Sequence, residues 1–191
     1  MSNVLGILDS FKKEKEIKVS VNDFLIFIIA KVLAEQPRLN SSLLNNKIVY
    51  YSNINIGIAV GIEEGLIVPV LKGAGKKSLV EISEESKKLI ALARDKKLMP
   101  EDYQNGTFTI SNLGMFDIEQ FTAIINPPES AILAVGSIIK KPIVDNNNHL
   151  IIRPMMKMTL SVDHRIIDGI VATMFLNRVK KYLTNPGLAS M

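Results

Sequence analysis

The 191-residue sequence contains no cysteine, and that absence excludes disulfides, thiolate metal sites and a cysteine nucleophile. Histidine is nearly missing too. A metal site built on imidazoles would have to bring His149 and His164 together, so a zinc enzyme is not expected and no metal is assigned. Aromatic residues make up 6% and tryptophan is absent, while the basic pairs Lys12-Lys13, Lys76-Lys77, Lys140-Lys141 and Lys180-Lys181 are scattered from end to end. A nucleic-acid-binding protein gathers its basic residues on one element and interleaves aromatics, so the net charge of +4 reads as a solvated surface. The longest apolar run, Phe24 to Ala30, stops at Lys31, well short of the roughly 20 residues that a membrane span needs. The opening Met1-Ser2-Asn3-Val4-Leu5 lacks the basic start and apolar stretch of a secretory signal, which leaves a cytoplasmic compartment as the expectation.

What is present is a globular composition, 47% hydrophobic and 22% charged, long enough to bury a core in one domain spanning residues 1–191. Helical spacing is expected from Asn3 to about Glu16, started by Ser2 or Asn3, and again through the nearly all-apolar Phe24 to Ala34, which follows Asn22-Asp23 and ends at Pro37. A helix apolar on almost every side is one buried between layers or subunits. Alternation at Ile54, Ile56, Ile58, Val60 and Ile62 predicts a strand over Tyr50 to Ile62, which turns at Glu63-Glu64-Gly65 into Leu66 to Leu71. Ser78 to about Lys97 is an amphipathic helix, with Ser78 and Glu81 at the spacing of a capping box. Further strands are expected over Thr107 to Ser111, Phe121 to Ile125, Ala131 to Ile139 and Met156 to Val162. A hairpin is expected around Asp145 to Asn148 and a last helix over Ile170 to Tyr182. Strands and helices do not alternate strictly, so the fold class is α+β, a mixed sheet with helices packed on it.

Ionisable residues concentrate in Asp163-His164-Arg165-Ile166-Ile167-Asp168-Gly169, between a strand and the last helix. Histidine is the side chain whose ordinary titration range suits proton transfer near neutral pH. Asp163, Arg165 and Asp168 read equally as a structural ion network. The strand Thr107, Thr109, Ser111 places three hydroxyls on one face. Gly73-Ala74-Gly75-Lys76-Lys77-Ser78 lacks the spacing of a phosphate-binding loop, and Ser111 is not flanked as a hydrolase nucleophile.

Together these segments resemble the catalytic core of the 2-oxo acid dehydrogenase acyltransferases, the dihydrolipoamide acyltransferase family that shares its fold with chloramphenicol acetyltransferase. Asp163 to Gly169 matches the family's active-site signature in full. The likeness continues through Val19 to Ile26, Asn55 to Val60, Gly65 to Val70 and Thr107 to Gly114. Phe121 to Pro128 with Ala131 to Gly136 looks most like the acetyl-transferring branch that serves pyruvate dehydrogenase. The resemblance implies transfer of an acetyl group between a dihydrolipoyl thioester and the thiol of coenzyme A. Both are substrates, with no bound cofactor. His164 matches the general base, Ser111 the hydroxyl that stabilises the tetrahedral oxyanion, and Asp168 a supporting position that fixes the geometry around the histidine. Arg165 and Asp163 belong to the signature with catalytic and ion-pair roles both open, and His149 is expected to be an exposed hairpin residue.

The resemblance also implies a homotrimer with its active site between chains, trimers that build a cubic or dodecahedral core, and partners in the lipoyl domain and the dehydrogenase subunits. In a eukaryote the compartment would be the mitochondrial matrix. Compared with the family pattern, the chain is expected to lack the first helix and strand of the core and to carry no lipoyl or subunit-binding domain. It also has Asp117 where glycine is usual, Asn105 for the first of two usual glycines, and Phe27 where lysine is common. The alternatives to an active acetyltransferase are a structural core subunit or inactive fragment of the same family, or the same chemistry in an acetoin, branched-chain or succinyl-type complex.

Overall fold

A computed structural model describes residues 1–14, 18–145 and 147–189. Helix α1 spans Ser2–Glu14, so Ser2 lies inside the helix and the expected end at Glu16 falls outside the described residues. Helix α2, Val21–Glu35, begins earlier than its apolar run suggests. Ser20 caps it by accepting a hydrogen bond from the Asp23 N–H at 3.1 Å, while the Asp23 carboxylate accepts from the Ser20 N–H at 2.8 Å. That carboxylate is buried and also accepts from the hydroxyls of Ser83 and Ser86, at 3.0 and 2.5 Å, on α3, Leu79–Arg94. One acid therefore starts α2 and pins α3 to it. Ser78 and Glu81 form the capping box anticipated for α3.

Nine strands are described. β1 (Ser41–Leu44) and β2 (Lys47–Tyr50) form a hairpin that the hydrophobic pattern did not reveal. Its signal is Asn45-Asn46, both at positive φ (49° and 59°), a backbone that asparagine tolerates better than most residues. The single strand expected over Tyr50 to Ile62 is instead β3 (Ile56–Ile58) and β4 (Val60–Ile62), divided at Ala59. The chain leaves one sheet there and joins β5 (Gly65–Ile67) in a separate ribbon, so an unbroken alternation serves two sheets. β6 is Val70–Leu71, set apart from β5 by Val68-Pro69.

β7 (Phe108–Asn112), β8 (Ala131–Val144) and β9 (Leu150–Val162) complete a mixed five-stranded sheet ordered β6-β3-β7-β8-β9. β3, β7 and β8 run parallel and the two edges are antiparallel. β8 and β9 extend well beyond the expected ranges as a long hairpin; Asn146, part of the expected Asp145 to Asn148 hairpin, lies outside the described residues. Phe121 to Ile125 forms no strand, which corrects the sequence reading. The alternation is real, but the segment pairs with no strand. It lies near the sheet, with the Ala123 carbonyl accepting from Ser161 at 2.7 Å and Ile124 fully in solvent.

Helix α4, Gly169–Thr184, packs with α2 and α3 against one face of the sheet. Phe108 and Phe175 meet there with ring centroids 5.5 Å apart, and both are fully buried. Glu35 ties α2 to α4 by accepting from Arg178 at 2.5 Å and from the Tyr182 hydroxyl. Because α2 lies within this layer, Phe24 through Ala30 are all buried, as its apolar circumference requires.

Candidate active site

His164 stands in the turn that leaves β9 for α4, and the residues around it hold that turn rigidly. The Asp163 N–H donates to the Ser130 carbonyl at 2.8 Å, and the Asp163 carbonyl accepts from Ile166 and Ile167, both at 3.0 Å. Ile166 and Ile167 are buried and anchor the turn from below. Arg165 folds back on Asp163, with Nη2 2.6 Å from Oδ2 and Nε 2.9 Å from Oδ1. The Arg165 hydrogen bond holds the Asp163 carboxyl below its usual range, and Asp163 pushes the guanidinium up. This is the ion pair that the sequence left open, and it fixes the backbone on both sides of the histidine.

Asp168 is the N-cap of α4, its Oδ1 accepting from the Val171 N–H at 3.0 Å. That bond holds its carboxyl below the ordinary range, with Arg38 and His164 adding attraction. Arg38 approaches Asp168 at 3.7 Å and donates to the Ile166 carbonyl at 3.4 Å. Among the described residues, no other residue hydrogen-bonds the His164 imidazole. The contacts that Asp168 makes are those of a residue that ends the turn and starts the helix.

The His164 imidazole is exposed and lines a cleft of about 500 Å³ with Leu43, Ile125, Pro127, Pro128 and Glu129. Ser111 does not line that cleft. It is half-buried near the end of β7, level with Ala134 on β8 and through it with Thr159 on β9. With about 3.3 Å per residue along a strand and about 4.8 Å between strands, Ser111 and Val162 are on the order of 14 Å apart, and His164 lies two residues further on. The structure thus places both candidates on rigid elements and does not bring them together within one chain.

Beyond β7 the chain turns through Asp117, at φ 57° and ψ 23°. This is the left-handed region that glycine favours and aspartate is among the few other residues to tolerate, so the turn is preserved with an acid in place. Asn105 likewise takes φ 65°. His149 is exposed on the hairpin, 3.8 Å from Asp145 and remote from the cleft. Sequence reasoning passed over Arg38 and Glu129. Arg38 carried no signal, but an acid at position 129, immediately before the buried strand β8, was legible as an anomaly.

A mixed sheet backed by helices on one face, with an exposed histidine in the turn before the last helix and a serine at the end of a central strand, defines the acyltransferase fold. Chloramphenicol acetyltransferase shares this fold at a TM-score of 0.59 with 17% identity, over 91% of this chain and 82% of that one. The chain belongs to the 2-oxoacid dehydrogenase acyltransferase family, whose catalytic-domain profile matches residues 1–191. It is 48% identical over 179 residues to the dihydrolipoyllysine-residue acetyltransferase component of the Rickettsia felis pyruvate dehydrogenase complex, covering 94% of this chain and 43% of that protein. The chain thus spans less than half the length of that relative. The cubic core of a pyruvate dehydrogenase multienzyme complex superposes at a TM-score of 0.93 with 32% identity, over 99% of this chain and 79% of that one. A structure of Azotobacter vinelandii dihydrolipoamide acetyltransferase, determined to define the role of a serine, a histidine and an asparagine in its catalytic mechanism, superposes equally well. Its TM-score is 0.93 and its identity 31%, over 99% of this chain and 79% of that one.

Proposed function

We propose that this chain is the catalytic core of an acetyltransferase of the pyruvate dehydrogenase type, which moves an acetyl group from a dihydrolipoyl thioester to coenzyme A. Both partners in the reaction are substrates, and the chemistry needs only side chains. Near pH 7 only a few per cent of a thiol of pKa about 8.5 is thiolate, so a positioned base raises the reactive fraction. The His164 imidazole takes the proton from the coenzyme A thiol, and the thiolate sulfur attacks the thioester carbon. The carbonyl electrons move onto oxygen, where the Ser111 hydroxyl donates a hydrogen bond. Collapse re-forms the carbonyl and breaks the bond to the dihydrolipoyl sulfur, which takes the proton back from the imidazolium.

The observation that carries this reading is the exposed His164, in a hydrogen-bonded turn on the wall of an open cleft and within a segment that resembles the family's active-site signature. The separation of Ser111 from His164 adds a condition. Reacting groups must come within roughly 3–3.5 Å, so a site using both residues draws them from two copies of the chain. Met115 and Phe116, which follow the Ser111 strand, are apolar and strongly exposed, and they supply a surface for a second copy to cover. Assembly into trimers and a larger core, with lipoyl domains and dehydrogenase subunits as partners, follows from the same reading.

The test is acetyl transfer from acetyl-coenzyme A to free dihydrolipoamide by the wild-type chain and its His164→Ala variant at matched concentration. Transfer that collapses with the histidine supports the proposal. Folded protein without transfer in either form would leave a structural core subunit as the better reading.

A further inference from the structure

Ser111 is one residue from the end of β7, where a strand frays most readily, and a hydroxyl that meets a transient oxyanion acts only if its position is fixed beforehand. Among the described residues, none hydrogen-bonds the Ser111 hydroxyl, so its reach is set by the backbone that carries it. Its neighbour Asn112 lies on the opposite face of the strand, the face of Phe108 and Ile110, where Phe108 meets Phe175 of α4. The Asn112 Oδ1 accepts from the Gly114 N–H at 2.8 Å, and its Nδ2 donates to the Asn22 Oδ1 at 3.4 Å in the first turn of α2. Asn22 stands between Ser20 and Asp23, the capping pair that starts α2 and is pinned to Ser83 and Ser86 on α3. The turn is closed from its other side as well. Leu113 donates to the Val135 carbonyl at 3.1 Å, and a Cβ on Gly114 would fall 2.9 Å from the Gly136 carbonyl oxygen.

We propose that Asn112 is a positioning residue for Ser111, tying the end of β7 to the turn at Gly114 and to the start of α2 so that the serine hydroxyl stays where the oxyanion forms. The inference rests on the acyl-transfer reading and deepens it. Asn112 acts from the helix side of the sheet while Ser111 is on the other side, so the amide works through the backbone and not on the reacting atoms. Truncating it leaves the Gly114 N–H and the Asn22 amide without their partner and frees the last residues of β7. A misplacement of roughly 1 Å can cost about 100-fold in rate, and the loss here is smaller because Ser111 keeps its place in the sheet between β3 and β8. An effect that passes through the serine disappears when the serine hydroxyl is gone.

The test is steady-state acetyl transfer by the assembled wild-type protein, Asn112→Ala, Asn112→Asp, Ser111→Ala and the double variant Ser111→Ala/Asn112→Ala, each below its melting transition. Asn112→Ala is expected to lower kcat by about tenfold with KM for coenzyme A unchanged. Asn112→Asp keeps an acceptor for Gly114 and is met by the Asn22 amide after a flip, so it restores most of the loss. In the Ser111→Ala background, Asn112→Ala is expected to cost nothing further. Asn22→Ala cuts the tie from the helix side and leaves the turn's own bond intact, and it is expected to lower kcat by a smaller factor. Wild-type kcat in Asn112→Ala, or an equal loss with and without the Ser111 hydroxyl, overturns the inference while the loss in Ser111→Ala leaves the acyl-transfer reading standing. Wild-type kcat in Ser111→Ala, or no transfer by the wild-type protein, overturns that reading and the inference with it.

Discussion

Ser111 is level with Thr159 across two strand spacings of the five-stranded sheet, and His164 lies beyond Val162, the last residue of the strand that carries Thr159. The sheet register itself therefore keeps the two residues apart. Neither can be carried to the other by a rotamer change, because both are fixed to the scaffold through backbone hydrogen bonds. What the register separates in one chain, a second chain can supply.

Ser111→Ala is expected to lower kcat by about 10²- to 10³-fold, the usual cost of losing one oxyanion donor. KM for coenzyme A should change little. Steady-state kinetics separate the two quantities, and an unchanged kcat would remove Ser111 from the chemistry.

Asp168→Asn is expected to lower Tm at pH 7 by less than Asp168→Ala, because asparagine keeps an acceptor for Val171 and loses only the charge, whereas alanine removes both. The lowered pKa of Asp168 fixes the pH dependence. Its stabilising contribution is present above the ordinary aspartate range and is lost as pH falls through the lowered value. Thermal melts of the three proteins between pH 2 and pH 7 check both statements, the range being chosen to bracket the aspartate titration at about 3.9.

Glu129 behaves in the opposite sense. Burial pushes its carboxyl up to about 7 from 4.5, with Thr109 and Asn126 opposing, so folding favours the protonated acid. Stability from this group is complete below its ordinary value and is lost as pH rises toward 7. Glu129→Gln should therefore gain stability relative to wild type on going from pH 4 to pH 8, by up to about 3 kcal/mol. Urea unfolding of both proteins at the two pH values measures the difference.

Phe175→Ala removes a fully buried ring that packs at a tilt against Phe108, and it should cost about 3–5 kcal/mol. The same change loosens α4 and with it the helix start at Asp168, so activity is expected to fall at temperatures below the melting transition. Chemical denaturation and transfer assays on one preparation test both effects.

The helices were legible because α2, α3 and α4 carry their own signals: an apolar circumference, a capping box, and an apolar spacing that ends before Pro186-Gly187. The irregular parts were not. Alternation along Tyr50 to Ile62 is continuous although the chain changes sheets at Ala59, and alternation at Phe121 to Ile125 occurs without any strand partner, because periodicity reports which side is covered and not what covers it. His164, Ser111 and Asp168 stood out by their motifs. Arg38 and Glu129 reach the histidine turn only through the tertiary fold, from the short 3-10 turn Pro37–Leu39 after α2 and from the segment before β8, and that relation has no counterpart in local spacing.

The most direct measurement mixes two single variants. His164→Ala and Ser111→Ala, each inactive or nearly so alone, are unfolded together, refolded as an equal mixture and assayed for acetyl transfer between acetyl-coenzyme A and dihydrolipoamide. If each site takes its histidine from one chain and its serine from the next, random assembly restores about one quarter of wild-type sites. Recovery near that level is the predicted result. A mixture no more active than the separate variants, with assembly confirmed by sedimentation, would contradict a site shared between chains.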